Sequence, residues 1–187
     1  MRLDGSCFDK DTLELAKDLI GKVFVYESRK GVIKGIINET EAYNEEDESC
    51  HAFNGNRTKR NEVMFWRAGY FYIYFTYGMY YCSNIVSGPK DKGEAVLIRS
   101  VIPIAGEDVM RENRNWAKRG LRGLCDGPAK FCMAYGFDKS FNGYDLLSRD
   151  SRVYIEDLGY KPKEIRKTSR IGISKAKHLD WRFVGIF

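Results

Sequence analysis

From Val32 to Ala42 the chain reads as a strand in which Ile33, Gly35, Ile37, Glu39 and Glu41 share one face, because side chains alternate with period two. The two glutamates then emerge from the end of an apolar face, ~6.6 Å apart. Lys22 to Glu27 is the partner strand, joined through a turn at Ser28-Arg29-Lys30-Gly31. Ahead of it, Asp9 or Asp11 caps a helix carrying Leu13, Ala16, Leu19 and Ile20, closed by Gly21. Tyr70 to Tyr77 has strong β-propensity, Tyr77-Gly78-Met79 breaks it as a tight turn, and Tyr80 to Val86 returns as a second strand. Ala95 to Ile102 reads as a short buried strand interrupted only by Arg99. Gly106 to Arg119 fits a helix with Val109, Met110 and Trp116 inward, and Gly127-Pro128 opens another that ends before Gly136. Arg152 to Glu156 and Trp181 to Ile186 are closing strands. The pattern predicts a single α+β domain over residues 1–187, with mostly antiparallel strands.

At 187 residues with 43% hydrophobic content the chain holds enough apolar surface for one core. No apolar run approaches the roughly 18–20 residues needed to span a bilayer. The first residues, MRLDGSCFDKDTLEL, contain no apolar signal-peptide segment, so a cytoplasmic location is expected. Cys7, Cys50, Cys82, Cys125 and Cys132 are odd in number and lack zinc or iron–sulfur spacing. Reduced, mostly buried thiols follow, and neither a metal nor a cofactor is expected.

Charge changes the picture more than composition does. Lys161 to Arg182 carries Lys161, Lys163, Arg166, Lys167, Arg170, Lys175, Lys177 and Arg182 against Glu164 and Asp180. Arg111 to Lys130 is a second basic region. Against these stands ETEAYNEEDESCHAF, Glu39 to Phe53, with six carboxylates and no Lys or Arg. Two basic regions beside an acidic patch suggest a polyanion-binding face next to a distinct carboxylate site, although two ordinary solvated surfaces fit composition equally well. Within the patch, Glu45, Glu46, Asp47 and Glu48 read as a solvated loop, whereas Glu39 and Glu41 sit on a strand.

Ten of the 26 aromatic residues fall between Phe65 and Tyr81. Tyrosine hydroxyls need partners when buried, so an aromatic sandwich with hydroxyls at its rim competes with a surface that stacks nucleobases. Together with the basic segments, stacking is the favoured reading.

The stretches ETEAY (39–43), His51, Arg60-Asn61 with Met64-Phe65, YIYFTYGMYYCSN (72–84), AVLIR (95–99), LCDGPAKFC (124–132) and SRIGIS (169–174) followed by WRF now line up in order. In this sum the chain resembles the alkyladenine (3-methyladenine) DNA glycosylase family. The resemblance implies a curved, open-barrel-like antiparallel sheet with packed helices and a protruding β-hairpin. It also implies a monofunctional base-excision repair enzyme that flips damaged purines out of duplex DNA and hydrolyses the N-glycosidic bond. Hypoxanthine, ethenoadenine, 3-methyladenine and 7-methylguanine are the implied base class. A monomer acting on double-stranded DNA is expected, in the cytoplasm and at the nucleoid if the source is prokaryotic.

Carried residue by residue, the resemblance makes Glu41 the general base for water and Arg99 the residue that helps hold that water and carboxylate. Tyr43, His51 and Tyr74 become the walls of the base pocket, and Asn84 stands against the purine edge. Tyr77, with Met79 beside it, becomes the wedge that enters the gap left by the flipped nucleotide. From the residues themselves, the helix start at Gly127-Pro128-Ala129-Lys130 offers backbone N–H groups and a lysine to a phosphate, and Arg170 with the C-terminal basic run extends that grip. From the residues alone either Glu39 or Glu41 can be the base, and Arg99 fits a structural ion pair as well as a catalytic one. Two other readings share the same residues: a catalytically silent nucleic-acid-binding module, and a carbohydrate hydrolase using both glutamates. The basic C-terminal segment disfavours the latter, because neutral sugars give it no role.

Overall fold

The computed structural model describes residues 1–76, 78–117 and 120–187. Helix α1 (Thr12–Asp18) starts at Asp11, whose carboxylate accepts from the Leu13 and Glu14 amides. The strands are β1 (Val23–Ser28), β2 (Gly31–Tyr43), β3 (Tyr70–Thr76), β4 (Tyr80–Val86), β5 (Ala95–Ala105), β6 (Tyr144–Asp145), β7 (Val153–Glu156), β8 (Glu164–Thr168) and β9 (Arg182–Ile186). Helices α2 (Glu107–Asn113) and α3 (Pro128–Tyr135) lie between β5 and β6. The strands form one curled antiparallel sheet, a half-barrel, in the order β6-β3-β4-β5-β2-β1-β7, with β9 on β2 and β8 on β9. The α+β expectation is met.

β2 is the axis of this sheet. It lies against β5 along nearly its whole length, from Lys34↔Ala105 to Tyr43↔Ala95. Its other edge pairs first with β1, up to Ile36↔Val23, and then with β9, from Glu39↔Val184 to Glu41↔Arg182. The main core lies between sheet and helices and is rich in aromatics. Phe24 packs edge-on to Phe131 and Tyr135, with ring centroids 5.2 and 5.6 Å apart. Gly35 permits this approach, since a Cβ there would stand 2.9 Å from the Tyr135 hydroxyl and 2.6 Å from Val101. A second cluster of Cys50, Ala52, Val63, Met64, Phe65, Tyr72, Val86 and Ala95 lies under the loop that follows β2.

The sequence pattern overextends one helix and passes over two strands. α2 stops at Asn113 rather than Arg119, because Asn115 takes a left-handed conformation (φ 47°). Trp116 still packs on the core, as expected, but from a loop, with the Arg114 guanidinium 4.6 Å over its ring. The last two positions of that expected helix, 118 and 119, lie outside the described residues. β6 has two residues, and β8 (EIRKT) is polar and largely exposed, so neither carries an apolar alternation to read. No helix among the described residues is long and apolar enough to cross a membrane. All five cysteines are free and four are buried, as expected.

Two expectations about charge are corrected together. Asp47 is not a solvated member of the acidic loop, and Arg170 offers no guanidinium to a phosphate, because the two side chains are paired and fully buried. Arg170 Nη2 donates to Asp47 Oδ1 at 2.9 Å, and Nη1 donates both to Asp47 Oδ2 and to the Ala42 carbonyl, the latter at 2.8 Å. The guanidinium also lies between the rings of Tyr43 and Trp181, at 4.6 and 5.1 Å. The pair ties the loop after β2 to the segment after β8. Glu46 and Glu48 are exposed, as expected, and Glu45 is half-buried and accepts from the Gly93 amide.

Removing one partner of a buried pair strands the other charge. Asp47→Ala is therefore expected to lower unfolding free energy by about 3–5 kcal/mol, read from urea or guanidinium midpoints. Asp47→Leu combined with Arg170→Met leaves no charge unpaired and should cost less than either single change.

Candidate active site

The face that carries the glutamates is set by a paired irregularity in β2 and β5. The register runs Ile37↔Val101, Glu39↔Ser100, Thr40↔Ile98, so Asn38 is extra on one strand and Arg99 on the other. Each bulge reverses the alternation. Ile33, Gly35 and Ile37 face the main core before it, and Thr40 and Ala42 face it afterwards, Thr40 donating from Oγ1 to the Ala16 carbonyl at 2.7 Å. Glu39 and Glu41 do share a face, as expected, but it is opposite the one that carries Ile33 and Ile37. It also carries Tyr43, and across the ladder Arg99 and Leu97.

Glu41 is fully buried and held at both oxygens. Oε2 accepts from the Tyr43 hydroxyl at 2.8 Å and lies 3.2 Å from Arg99 Nη1. Oε1 accepts from the Ile171 backbone N–H at 2.8 Å. A carboxylate offers about four acceptor positions, so these contacts leave room on Oε1 for one more donor such as water. Arg99 is shared, its Nε donating to Glu39 Oε1 at 2.8 Å. The same oxygen accepts from Arg182 Nε at 2.6 Å, and Arg182 Nη1 reaches Thr168 Oγ1 at 3.0 Å. Burial opposes the Arg99 charge, but Glu41 and Glu39 outweigh it and hold its pKa above the ordinary value. Burial, followed by the Glu41 charge, raises the Tyr43 hydroxyl, which stays a donor.

Glu41 opens onto a cavity of about 530 Å³. β3 supplies one wall by strand parity: Phe71 and Ile73 face the core, and Tyr72 and Tyr74 face the cavity, their rings 5.6 Å apart and tilted by 32°. The aromatic run is thus divided, core on one side and cavity wall on the other. His51 packs edge-on against Tyr74 at 4.6 Å, with its Nδ1 3.0 Å from the Tyr72 hydroxyl. Tyr43, Cys82, Asn84 and Pro128 complete the lining with the loop from Ile171 to Lys175. Asn84 is buried and donates from Nδ2 to the Tyr72 carbonyl at 3.1 Å, which holds its side chain across the β3–β4 ladder.

The cavity therefore brings together Glu41, Arg99, Tyr43, His51, Tyr74 and Asn84. Lys130 does not line it: the side chain is half-exposed on α3, with Nζ 2.6 Å from Asp126. Met79 stands out from the β3–β4 turn at 64% exposure, close to an exposed Phe75. Tyr77 lies outside the described residues. Sequence reasoning missed Tyr72, Arg60, Arg182 and the Ile171 N–H. Tyr72 was readable from its parity with Tyr74. Arg60, at the cavity mouth 5.7 Å over the Tyr74 ring, and Arg182, on Glu39, had no signal beyond charge. The Ile171 contact is backbone and leaves no trace in side-chain chemistry.

Burial, then the nearby Arg60 charge, lowers the His51 pKa from 6.5 to about 4, so the ring is neutral at pH 7. Unfolded, the imidazole gains its proton near 6.5, and folded it does so near 4. Acid therefore favours the unfolded chain, and stability present above about pH 6.5 is lost as pH falls toward 4. A titration of the His51 ring resonances by NMR should give a midpoint below 5, and His51→Gln should flatten the acid side of the stability curve.

The family model for methylpurine-DNA glycosylase matches residues 6–185. A Francisella tularensis protein is 45% identical over 175 residues, covering 92% of this chain and 89% of the relative. A Carboxydothermus hydrogenoformans protein is 40% identical over 183 residues, covering 98% and 94%. One from Natranaerobius thermophilus is 38% identical over 187 residues, with the same coverages. All three carry 3-methyladenine DNA glycosylase as an assigned name. A match over nearly the whole length, in a chain whose aromatic cavity ends on a buried glutamate, places the protein by descent: it belongs to the methylpurine-DNA glycosylase family.

Proposed function

We propose that the protein is a monofunctional DNA glycosylase of base-excision repair that accepts a flipped, damaged purine in the cavity. It hydrolyses the bond from C1′ to the base with water activated by Glu41. The observation that carries this reading is the fully buried Glu41 at an aromatic cavity, with one acceptor position left after Tyr43, Arg99 and Ile171 have taken theirs. As the C1′–N bond breaks, its electron pair passes to the purine and positive charge develops on the sugar. The Glu41 carboxylate stabilises that charge and takes a proton from the water whose oxygen bonds to C1′. A 3-methyl- or 7-methylpurine is cationic before cleavage and leaves neutral with no proton donor, whereas hypoxanthine or ethenoadenine carries the bond's electron pair away as an anion and takes its proton from solvent water. Tyr74, Tyr43 and the neutral His51 provide faces and edges against which a purine stacks. Arg99 sets a positive charge 3.2 Å from the buried carboxylate. The exposed Met79, two residues after Tyr77 in the sequence, supports a wedge at the hairpin tip. Exposed basic groups, Lys130 among them, are the candidate phosphate contacts.

The direct test is incubation with duplexes containing hypoxanthine or ethenoadenine, followed by alkali cleavage at any abasic site. Glu41→Gln should lose at least ~10²-fold in single-turnover rate while still binding the damaged duplex. Binding without cleavage in the unaltered protein would make it a silent binding module. Full activity in Glu41→Gln with a dead Glu39→Gln would move the base two residues upstream.

Asn84 is the proposed source of selectivity. Guanine differs from hypoxanthine by a 2-amino group, which stacking alone does not detect. A group at the purine edge that crowds this amino group, or leaves its N–H buried and unpaired, disfavours it by about 1–3 kcal/mol. Asn84→Ala is expected to raise guanine release relative to hypoxanthine by about tenfold, the lower part of that range. Single-turnover rates on matched duplexes measure the ratio, and an unchanged ratio in a folded variant removes Asn84 from this role.

A further inference from the structure

Two glutamates share the cavity face, and the reading above uses only one. Glu39 is 15% exposed, between two guanidinium groups that both donate from Nε to its Oε1. Arg182 is the cross-strand partner of Glu41 in the β2–β9 register, yet its head group goes to Glu39. The order in space is Glu41, Arg99, Glu39, Arg182, with charges alternating in sign. Arg99 therefore presents its Nε to Glu39 and a single Nη1 to Glu41, at 3.2 Å. A guanidinium free of Glu39 would turn its two-pronged edge to Glu41, the geometry that binds a carboxylate most strongly.

A general base has to be ionised and still able to take a proton. A bidentate arginine meets the first need and works against the second, since it lowers the carboxylate's proton affinity. It would also occupy the acceptor position left free on Oε1 beside the Ile171 amide. The other titratable groups facing Glu41 are Tyr43 on its own strand, Tyr74 from β3 and Cys82 from β4, and burial raises the pKa of each, which keeps them neutral. The charge felt by Glu41 is then set mainly by Arg99, and Arg99 is shared.

We propose that Glu39 is a positioning residue: anchored by Arg182, it takes the Nε edge of Arg99 and so restricts Arg99 to one contact with the base. Glu39 touches neither water nor substrate in this role and acts through Arg99. The inference rests on Glu41 being the base.

The test is the pH dependence of single-turnover base release. Its acid limb, measured in a His51→Gln background so that the imidazole titrating near 4 does not contribute, marks protonation of the base. Glu39→Gln keeps an acceptor for Arg99 but removes the negative charge. Its acid limb should move down by about one pH unit, the low end of the effect of an adjacent opposite charge. Arg182→Gln strengthens the hold of Glu39 on Arg99 and removes a positive charge, so its limb should move up. Glu39→Ala removes the acceptor as well, and its plateau rate should fall at least about tenfold, as expected when a catalytic group is mispositioned. Removing either charge also moves the limb through space, so positioning is read from the plateau: Glu39→Gln, which keeps an acceptor for Arg99, should hold the rate that Glu39→Ala loses. A merely structural pair would lower the folded fraction in both and leave the rate per folded molecule equal in the two, which would overturn the positioning role. If Glu41→Gln abolishes activity while the limb stays fixed in both Glu39→Gln and Arg182→Gln, Glu39 has no positioning role although Glu41 remains the base. If Glu41→Gln keeps both rate and limb, the base assignment itself fails, and this inference with it. Should Glu39→Gln prove unfolded by circular dichroism, the plateau of Glu39→Ala per folded molecule decides alone, and a rate equal to that of the unaltered protein overturns the role.

Discussion

A carboxylate with no exposed surface must be compensated in full, and the site is built around that demand at Glu41. Desolvating an ion costs several kcal/mol even after the protein relaxes, and an unpaired charge in such a place is not tolerated. The compensation comes from three separate parts of the chain: Tyr43 on the same strand, Arg99 on the neighbouring strand and the Ile171 amide in a loop 130 residues away. Each contributes one donor. Because the donors are spread over distant segments, the carboxylate is satisfied only when sheet and loop are both in place, which links folding of the site to folding of the domain.

The curled sheet makes this convergence possible. β2 changes partner from β1 to β9 along its length, and the paired bulges at Asn38 and Arg99 fall where that change occurs. One extra residue on each strand reverses the alternation on both, so the ladder resumes with Glu41 and Arg99 turned to the cavity, Glu39 on the same face beside Arg99, and Thr40, Ala42, Val96 and Ile98 turned to the core. Arg170 and Asp47 then clamp the loops on either side. The residue after Arg170 is Ile171, so the clamp also places the amide that reaches Glu41. A pair first read as one phosphate contact and one solvated acid is instead the fastening of the pocket.

Aromatic residues are divided between the two faces by the same period-two rule. Phe71 joins Phe24, Phe131 and Phe137 in the core, whereas Tyr72 and Tyr74 line the cavity, Tyr72 with its hydroxyl on His51 Nδ1 and Tyr74 with its ring against the imidazole. Tyrosine rather than phenylalanine suits the cavity side, where the ring covers apolar surface and the hydroxyl has a polar partner or open space.

Elements with a strong apolar period, α1, β1, β3 and β4, were legible within a residue or two, because their pattern is local. Pairing of β2 with β1 and the presence of Glu41, Arg99, Tyr43, His51, Tyr74 and Asn84 among candidate site residues were also within reach of sequence, the latter through family resemblance. Which face the glutamates take was not legible: a bulge is defined by the partner strand's register, and no residue type at Asn38 announces it. Nor was the fate of Arg170, since one arginine in a basic run has the same chemistry whether it meets solvent or Asp47, which lies 123 residues away in the chain. Sequence determined the inventory of charges, rings and strands. Tertiary structure decided which charges are buried against each other and which remain to act, because burial and pairing depend on distances that only the closed sheet establishes.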